Sequence, residues 1–245
     1  MSTSAAAIEA PWRAGLRGAR ANLGAGLALQ LAALALVLAY YRHAPTHAAV
    51  DALATLHRRA GIGFGIVSTG LFGGLIPFVY LRLRTSTRDR FTWSAGAALT
   101  AFWAYKGIEV DLWYRLLAYV VGEGHDARTI AIKTFLDQFV YCPAFAVPVT
   151  VLVYAWVETR FSLRPVIADW RTGGWYRRQV LPVLISNLGV WVPAVCIIYA
   201  LPTALQLPLQ NLVLCFFTLL LAHVTAREGN SSETLSRKQA WKNRE

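Results

Sequence analysis

The stretch GIEVDLWYRLLAYVVGEGHDARTIAIKTFLDQF, Gly107–Phe139, decides the fold class, because it places charged residues within runs that are otherwise apolar. Two apolar segments, residues 93–121 and 130–157, flank its short polar turn GEGHD. Each segment is longer than the 20 or so residues that a helix needs to cross the hydrocarbon of a bilayer. The sequence therefore predicts a helical hairpin in a membrane, with ionisable side chains inside it.

The composition of the whole chain extends this prediction. Of the 245 residues, 56% are hydrophobic and only 15% are charged, which is typical of membrane proteins. Six apolar segments predict an all-α, polytopic transmembrane helix bundle: residues 23–41, 60–81, 93–121, 130–157, 180–201 and 205–226. We predict a cytoplasmic segment over 1–22, a helical membrane domain over 23–226 and a basic, flexible tail over 227–245.

The distribution of Lys and Arg predicts the orientation. Most of the 24 basic residues lie before the first segment, after the last one and in every second connection, within 13–20, 82–90, 160–178 and 227–244. Cytoplasmic loops carry such an excess, so both termini are predicted to lie inside. Because topology already accounts for the net charge of +11, we predict a lipid bilayer and no nucleic acid as partner. A homo-oligomer or a membrane protein partner stays open.

Ionisable residues of the third and fourth segments are spaced as ion pairs. Lys106 and Glu109 are three residues apart, whereas Asp111 and Arg115, and Lys133 and Asp137, are four apart. Both spacings bring side chains together on one helix face. At about 100° per residue, the first two pairs face nearly opposite sides of their helix.

The hairpin also predicts a network between its two helices. At a rise of about 1.5 Å per residue, Asp111 and Asp137 lie about 15 Å below the turn, and Arg115 and Lys133 about 9 Å below it. We therefore expect these four side chains to converge. Together with Lys106, Glu109 and Gln138, they are candidates either for the wall of a polar pathway or for a structural clamp, and the sequence does not separate these two interpretations.

The second segment is rich in glycine. Gly61 with Gly65, and Gly70 with Gly74, are small residues four apart, which allow close packing of helices in lipid. A regular helix would point the two pairs to opposite sides, so we expect this helix to lie between two others.

Signatures of enzymes and of metal sites are weak. His43 and His47 are separated by Pro45, which disfavours a helical metal face, and His57 is predicted on a loop and facing solvent. Asp126 is predicted to cap the fourth helix. Cys142, Cys196 and Cys215 all lie in apolar segments, which argues against disulfides. We predict no enzymatic activity, no metal and no cofactor.

The motifs WYRLL and KTFLDQFVYCP resemble the paired signature of the Mpv-seventeen and PMP-twenty-two family of integral membrane proteins, which includes bacterial members. A later stretch, WVPAVCIIYALP, is similar to the family's Trp-Pro region, although the Gln and Asn expected between its two prolines are absent, with Ala194 and Ile197 at the nearest places. The residues that match are Gly107, Trp113, Tyr114, Lys133, Asp137, Gln138, Pro143, Trp191, Pro193, Tyr199 and Pro202.

This resemblance implies a helical membrane protein from a family with channel-forming members. It favours a pore for small solutes or ions; the alternative is a membrane scaffold or accessory subunit whose buried charges are clamps. Arginine far outnumbers lysine, which is typical of a GC-rich bacterial genome. The expected location is therefore a bacterial inner membrane, or an organelle membrane if the source is eukaryotic.

Overall fold

The computed structural model describes residues 10–85, 87–88 and 91–219. Over these residues the chain is helical and contains no strand, which confirms the all-α class. Several parts of the chain lie outside the described residues: most of the segment before Pro11, Arg90, the end of the sixth apolar segment and the predicted basic tail. The helices are α1 (Pro11–Arg42), α2 (Ala44–Ala60), α3 (Ile62–Leu83), α4 (Trp93–Val121), α5 (Ala127–Glu158), α6 (Leu163–Arg171), α7 (Tyr176–Tyr199) and α8 (Thr203–Leu219).

Three of the described helices, α3, α5 and α7, are long and apolar enough to cross a membrane. Helix α1 is bent by 52° between Trp12–Gly24 and Gly26–Arg42, and would be a fourth if the bent pair forms one span. Large apolar side chains on the outside of the bundle are exposed, among them Leu27, Leu31 and Phe139, each by more than half. An apolar exterior of this kind fits lipid rather than water.

Three helices contain a wide turn with π-helical hydrogen bonding, at Gly70–Leu75, Leu136–Ala146 and Tyr176–Val180. A proline stands two residues after each turn, at Pro77, Pro148 and Pro182. Proline lacks an N–H and its ring collides with the carbonyl group four residues earlier, which in each case belongs to the wide turn. The helix therefore opens before each proline, and these turns shift the faces that later residues present.

Helices α3 and α4 cross in backbone contact. A Cβ atom added to Gly65 would lie 2.7 Å from the carbonyl oxygen of Gly107, and one added to Gly74 would lie 2.6 Å from Cα of Thr100. A Cβ atom added to Gly70 would lie 3.2 Å from Cβ of Ala104, which is also on α4.

The prediction that the two glycine pairs point to opposite sides is therefore wrong. The wide turn at Gly70–Leu75 keeps Gly65, Gly70 and Gly74 on the face toward α4, although their spacings are five and four residues. Gly61 lies between α2 and α3, in open space, with a positive φ of 56°. Helix α8 reaches α3 through Leu214, which contacts the position where Gly73 would carry a Cβ.

The apolar core lies where α1 packs along α7 and both meet α4 and α8. Small residues of α1 allow this approach, since a Cβ added to Gly15 or Gly26 would collide with Ile185 or Val190. The most deeply buried side chains of the core include Val195, Ile198 and Tyr199 of α7. This packing fixes α7 against α4 and α5, and so positions the charged side chains described next.

Candidate functional site

Helix α4 carries two ion pairs, as its residue spacings predict. Nζ of Lys106 donates a hydrogen bond to Oε1 of Glu109, and both side chains are almost fully buried. Nη2 of Arg115 lies 2.9 Å from Oδ2 of Asp111, with the carboxylate buried and the guanidinium half exposed. Each buried charge thus has an opposite charge beside it, which offsets much of the cost of removing it from water.

The first pair continues onto α5 through Tyr141. The hydroxyl of Tyr141 donates a hydrogen bond to the same Oε1 of Glu109 that accepts from Lys106. The indole of Trp113 stacks on the Tyr141 ring, with centroids 4.4 Å apart and planes inclined by 15°. One carboxylate oxygen therefore joins α4 to α5, while Oε2 of Glu109 is buried without a hydrogen-bond partner.

The second pair continues onto α2 through His57. Nε2 of His57 lies 3.0 Å from Oδ1 of Asp111, and Nδ1 lies 2.7 Å from the carbonyl oxygen of Ala204. His57 is on helix α2 and only 4% exposed, so the prediction of a solvent-facing histidine on a loop is wrong. Pro45 stands in the first turn of α2, where proline is tolerated.

The pKa of His57, which lies outside the candidate spans, is shifted by these contacts. Burial alone would lower this pKa, since it disfavours the charged ring. The hydrogen bonds to Asp111 and to the Ala204 carbonyl, together with the negative charge of Asp111, outweigh burial and raise the pKa above its ordinary value. The positive charge of Arg115 lowers the pKa of His57, but this is the smallest of the contributions.

Helix α5 begins with the predicted cap at Asp126. Its carboxylate accepts hydrogen bonds from the backbone N–H groups of Arg128 and Thr129, at 3.1 Å each, and from the Thr129 hydroxyl. The hydrogen bonds from Thr129, the largest influence, hold the pKa of Asp126 below its ordinary value. This cap fixes where α5 begins, and therefore the positions of Lys133 and Asp137 along the helix axis.

The predicted pair of Lys133 with Asp137 does not form. Oδ2 of Asp137 accepts hydrogen bonds from the Tyr199 hydroxyl at 3.0 Å and from Nε2 of Gln138 at 3.4 Å. Lys133 is 1% exposed, and its ammonium nitrogen lies 5.9 Å from the centroid of the Tyr199 ring. Within the described part of the chain, no carboxylate lies within 4.0 Å of the Lys133 ammonium.

The prediction that Asp111, Arg115, Lys133 and Asp137 form a single cluster is therefore also wrong. The wide turn Leu136–Ala146 begins between Lys133 and Asp137 and removes the regular spacing that would have brought them together. Asp111 and Arg115 turn toward α2 instead, and Asp137 turns toward α7.

A cavity of about 160 Å³ lies between α4, α5 and α7 and is closed on one side by α3 and α8. Two charged residues line it, Lys106 and Asp137. Two of the lining residues, Tyr114 and Trp113, also carry a fully buried polar atom without a hydrogen-bond partner, the Tyr114 hydroxyl and Nε1 of Trp113. The remaining polar and aromatic lining residues are Thr69, Trp103, Gln138, Tyr141, Thr150, Asn187, Trp191 and Gln210.

The residues that carried the family resemblance gather around this cavity. Trp113, Tyr114, Asp137, Gln138 and Trp191 line it, and Tyr199 binds Asp137 directly behind its wall. Lys133 is buried beside the Tyr199 ring, outside the lining of the cavity. The other four act on the backbone: Gly107 allows the contact with Gly65, Pro143 lies in the wide turn of α5, Pro193 lies inside α7 and Pro202 precedes α8.

Two side chains of these clusters were not anticipated from the sequence, His57 and Tyr141. His57 contacts a residue 54 positions away, and no local pattern indicates such a contact. Tyr141 follows Asp137 by one helical turn, a spacing that placed it on the same face as a buried charge and so was a usable signal.

Comparisons with protein-family models, with curated proteins and with solved structures find no match to this chain.

Proposed function

We propose that this protein is a membrane channel that passes small solutes through the cavity between α4, α5 and α7. The observation that supports it is the pair of charged residues, Lys106 and Asp137, lining a cavity inside an otherwise apolar bundle. Charge at membrane depth costs several kcal/mol unless it is compensated, and it usually marks a substrate pathway. The resemblance of the cavity residues to the Mpv-seventeen and PMP-twenty-two family supports the same function.

The channel is a six-span bundle with both termini on the inner side. In this arrangement α1, α3, α4, α5, α7 and α8 cross the membrane, and α6 lies inside with the basic connections. The distribution of Lys and Arg supports it. The location that fits an arginine-rich chain is a bacterial inner membrane. A phosphatase that is active only after export, fused behind Glu245, should be inactive; activity would contradict this topology.

The function is tested with purified protein in vesicles and in planar bilayers. Solute flux and stepwise conductance are measured for the wild-type chain and for Val147→Trp, because Val147 lines the cavity and a larger side chain should block it. The matched control is Val140→Trp on the same helix, since Val140 is 45% exposed and outside the cavity. We expect flux to be lost in the first variant and kept in the second.

A specific observation favours a second function, that of a scaffold. Lys106 with Glu109, and Asp111 with Arg115, are compensated pairs, which a clamp between helices also requires. A scaffold passes no solute. If wild-type protein gives neither flux nor conductance, the channel is excluded and the scaffold remains.

A further inference from the structure

We propose that a second cavity, between α1, α2, α3 and α8, holds one acyl chain of an anionic phospholipid from the surrounding bilayer. This cavity has a volume of about 220 Å³ and shares no lining residue with the first. The inference therefore does not depend on the channel function. It rests on the wall of the cavity, on its opening and on the positive charge at the end of α2.

The wall of the second cavity is apolar and needs no water. Its residues with polar side chains are Tyr40, Ser68 and Asn211, and each already has a hydrogen-bond partner. The Tyr40 hydroxyl donates to Asp51 at 3.2 Å, and the Asn211 amide donates to the Ser68 hydroxyl at 2.8 Å. An apolar cavity of about 150 Å³ stays dry and can bind a small hydrocarbon. This larger cavity therefore suits a hydrocarbon chain.

The second cavity opens onto the apolar outside of the bundle. Leu53 of α2 and Leu212 of α8 line it and are 38% and 36% exposed, so its wall reaches the surface there. On α3, Val67 is 70% exposed and precedes the lining residue Ser68. Because α3 is long and apolar enough to cross a membrane, this surface faces the hydrocarbon of the bilayer. Acyl chains are then the most abundant apolar groups beside the opening.

Positive charge at the end of α2 matches a phosphate group. Arg58 and Arg59 stand in the last turn of α2, are exposed and form no ion pair with a carboxylate of the described residues. Arg58 lies within electrostatic range of the Tyr40 hydroxyl, and Tyr40 belongs to the cavity wall. Helix α2 is outside the candidate spans, where lipid headgroups are found. A phospholipid with its acyl chain in the cavity therefore brings its phosphate toward these arginines.

The test uses the full chain purified from vesicles of phosphatidylcholine and phosphatidylglycerol. Native mass spectrometry counts the lipids that remain bound after exchange into detergent, and we expect one phosphatidylglycerol per chain. Val50→Phe places a ring in the cavity, since Val50 lines it. Retention should fall about 15-fold, because the ring displaces about two methylene groups and each contributes about four-fold to binding. The matched control is Val67→Phe, which lies outside the cavity and should retain the lipid.

The contribution of the headgroup is measured with Arg58→Gln. This variant should retain about five-fold less phosphatidylglycerol, the effect of one basic residue beside an anionic headgroup. The control is Arg128→Gln, because Arg128 is exposed at the start of α5 and lies away from the cavity.

Equal retention in a folded Val50→Phe variant and in wild type would overturn the site. If Val50→Phe does not fold, Leu212→Trp at the exposed edge of the cavity should give the same loss. Phosphatidylcholine retained as strongly as phosphatidylglycerol, or a fatty acid retained without phosphate, would overturn the anionic phospholipid. A second copy of the chain bound without lipid would overturn the assignment to lipid altogether.

Discussion

Nε2 of His57 lies 3.0 Å from Oδ1 of Asp111, although the two residues are 54 positions apart. Nδ1 of the same ring lies 2.7 Å from the carbonyl oxygen of Ala204. Both contacts are with oxygen acceptors, and only the doubly protonated ring donates to both. When it is protonated, the imidazolium joins α2, α4 and α8 through both hydrogen bonds, and Asp111 shares its carboxylate between this ring and Arg115.

This arrangement predicts that the protein becomes less stable as the pH rises. A histidine whose pKa is raised on folding stabilises the protein below its unfolded-state pKa, and this contribution is lost as the pH passes the folded-state pKa. We expect the unfolding temperature in detergent to fall as the pH rises above the ordinary histidine pKa near 6.5. The fall should be smaller in His57→Gln.

His47→Gln is the control for this prediction. His47 also contacts a carboxylate, that of Asp51 at 3.3 Å, but both side chains are about half exposed. Solvent screens such a pair, so its removal should leave the pH dependence unchanged. If His57→Gln and wild type show the same pH dependence, the imidazolium does not link the three helices.

The contact of Gly65 with Gly107 predicts a site that tolerates no side chain. A Cβ atom added to Gly107 would lie 2.0 Å from the carbonyl oxygen of Gly65, and backbone cannot move away as a side chain can. Gly107→Ala should cost about 1–3 kcal/mol, the usual range for overpacking. Gly63→Ala is the control, since no atom lies within 4 Å of its added Cβ. Equal unfolding temperatures for the two variants would show that α3 and α4 are not in contact there.

Features set by neighbouring residues could be predicted from the sequence. The ion pairs of α4 follow from spacings of three and four residues, and the cap at Asp126 follows from its position before a helix. Each depends only on the geometry of one regular helix. The apolar segments predicted the helices for the same reason.

Features that depend on irregular helix geometry could not be predicted in this way. The faces of Gly65 and Gly74, and the separation of Lys133 from Asp137, both follow from wide turns, whereas the prediction assumed about 100° per residue throughout. The prolines two residues after these turns were visible in the sequence, but they were interpreted only as bends. The contact of His57 with Asp111 depends on how α2 folds back against α4, which spacing does not reveal.

The exposed side of α6 predicts that this helix rests in the membrane interface. Leu163, Ile167 and Trp170 recur with helical spacing and are 57%, 40% and 63% exposed, while Arg164 and Arg171 lie beside them. Because α6 connects two helices that are apolar enough to cross the membrane, its apolar side has lipid within reach.

A spin label on Ile167→Cys tests this position in a chain whose three native cysteines are replaced by alanine. We expect the label to be relaxed by oxygen, which dissolves in lipid, and shielded from a water-soluble nickel complex. The control is Ala168→Cys, roughly 100° around the helix, which should show the opposite behaviour. Equal access to the nickel complex at both positions would place α6 in water.

The buried charge of Lys133 leads us to expect that its replacement by a neutral residue stabilises the protein. Lys133 is 1% exposed and, over the described residues, its ammonium group has no carboxylate within 4.0 Å, so its charge is costly in apolar surroundings. Lys133→Met keeps most of the side-chain volume and removes the charge. We expect it to raise the unfolding temperature by a few degrees, at about 2–4 °C for each kcal/mol gained.

Lys106→Met provides the opposite case on α4. Lys106 is equally buried but binds Glu109, so the same substitution leaves a carboxylate without its cation and should cost about 3–5 kcal/mol. Comparing the unfolding temperatures of the two variants therefore distinguishes a buried charge that is compensated from one that is not. A lower unfolding temperature in both variants would contradict the conclusion that the charge of Lys133 is uncompensated.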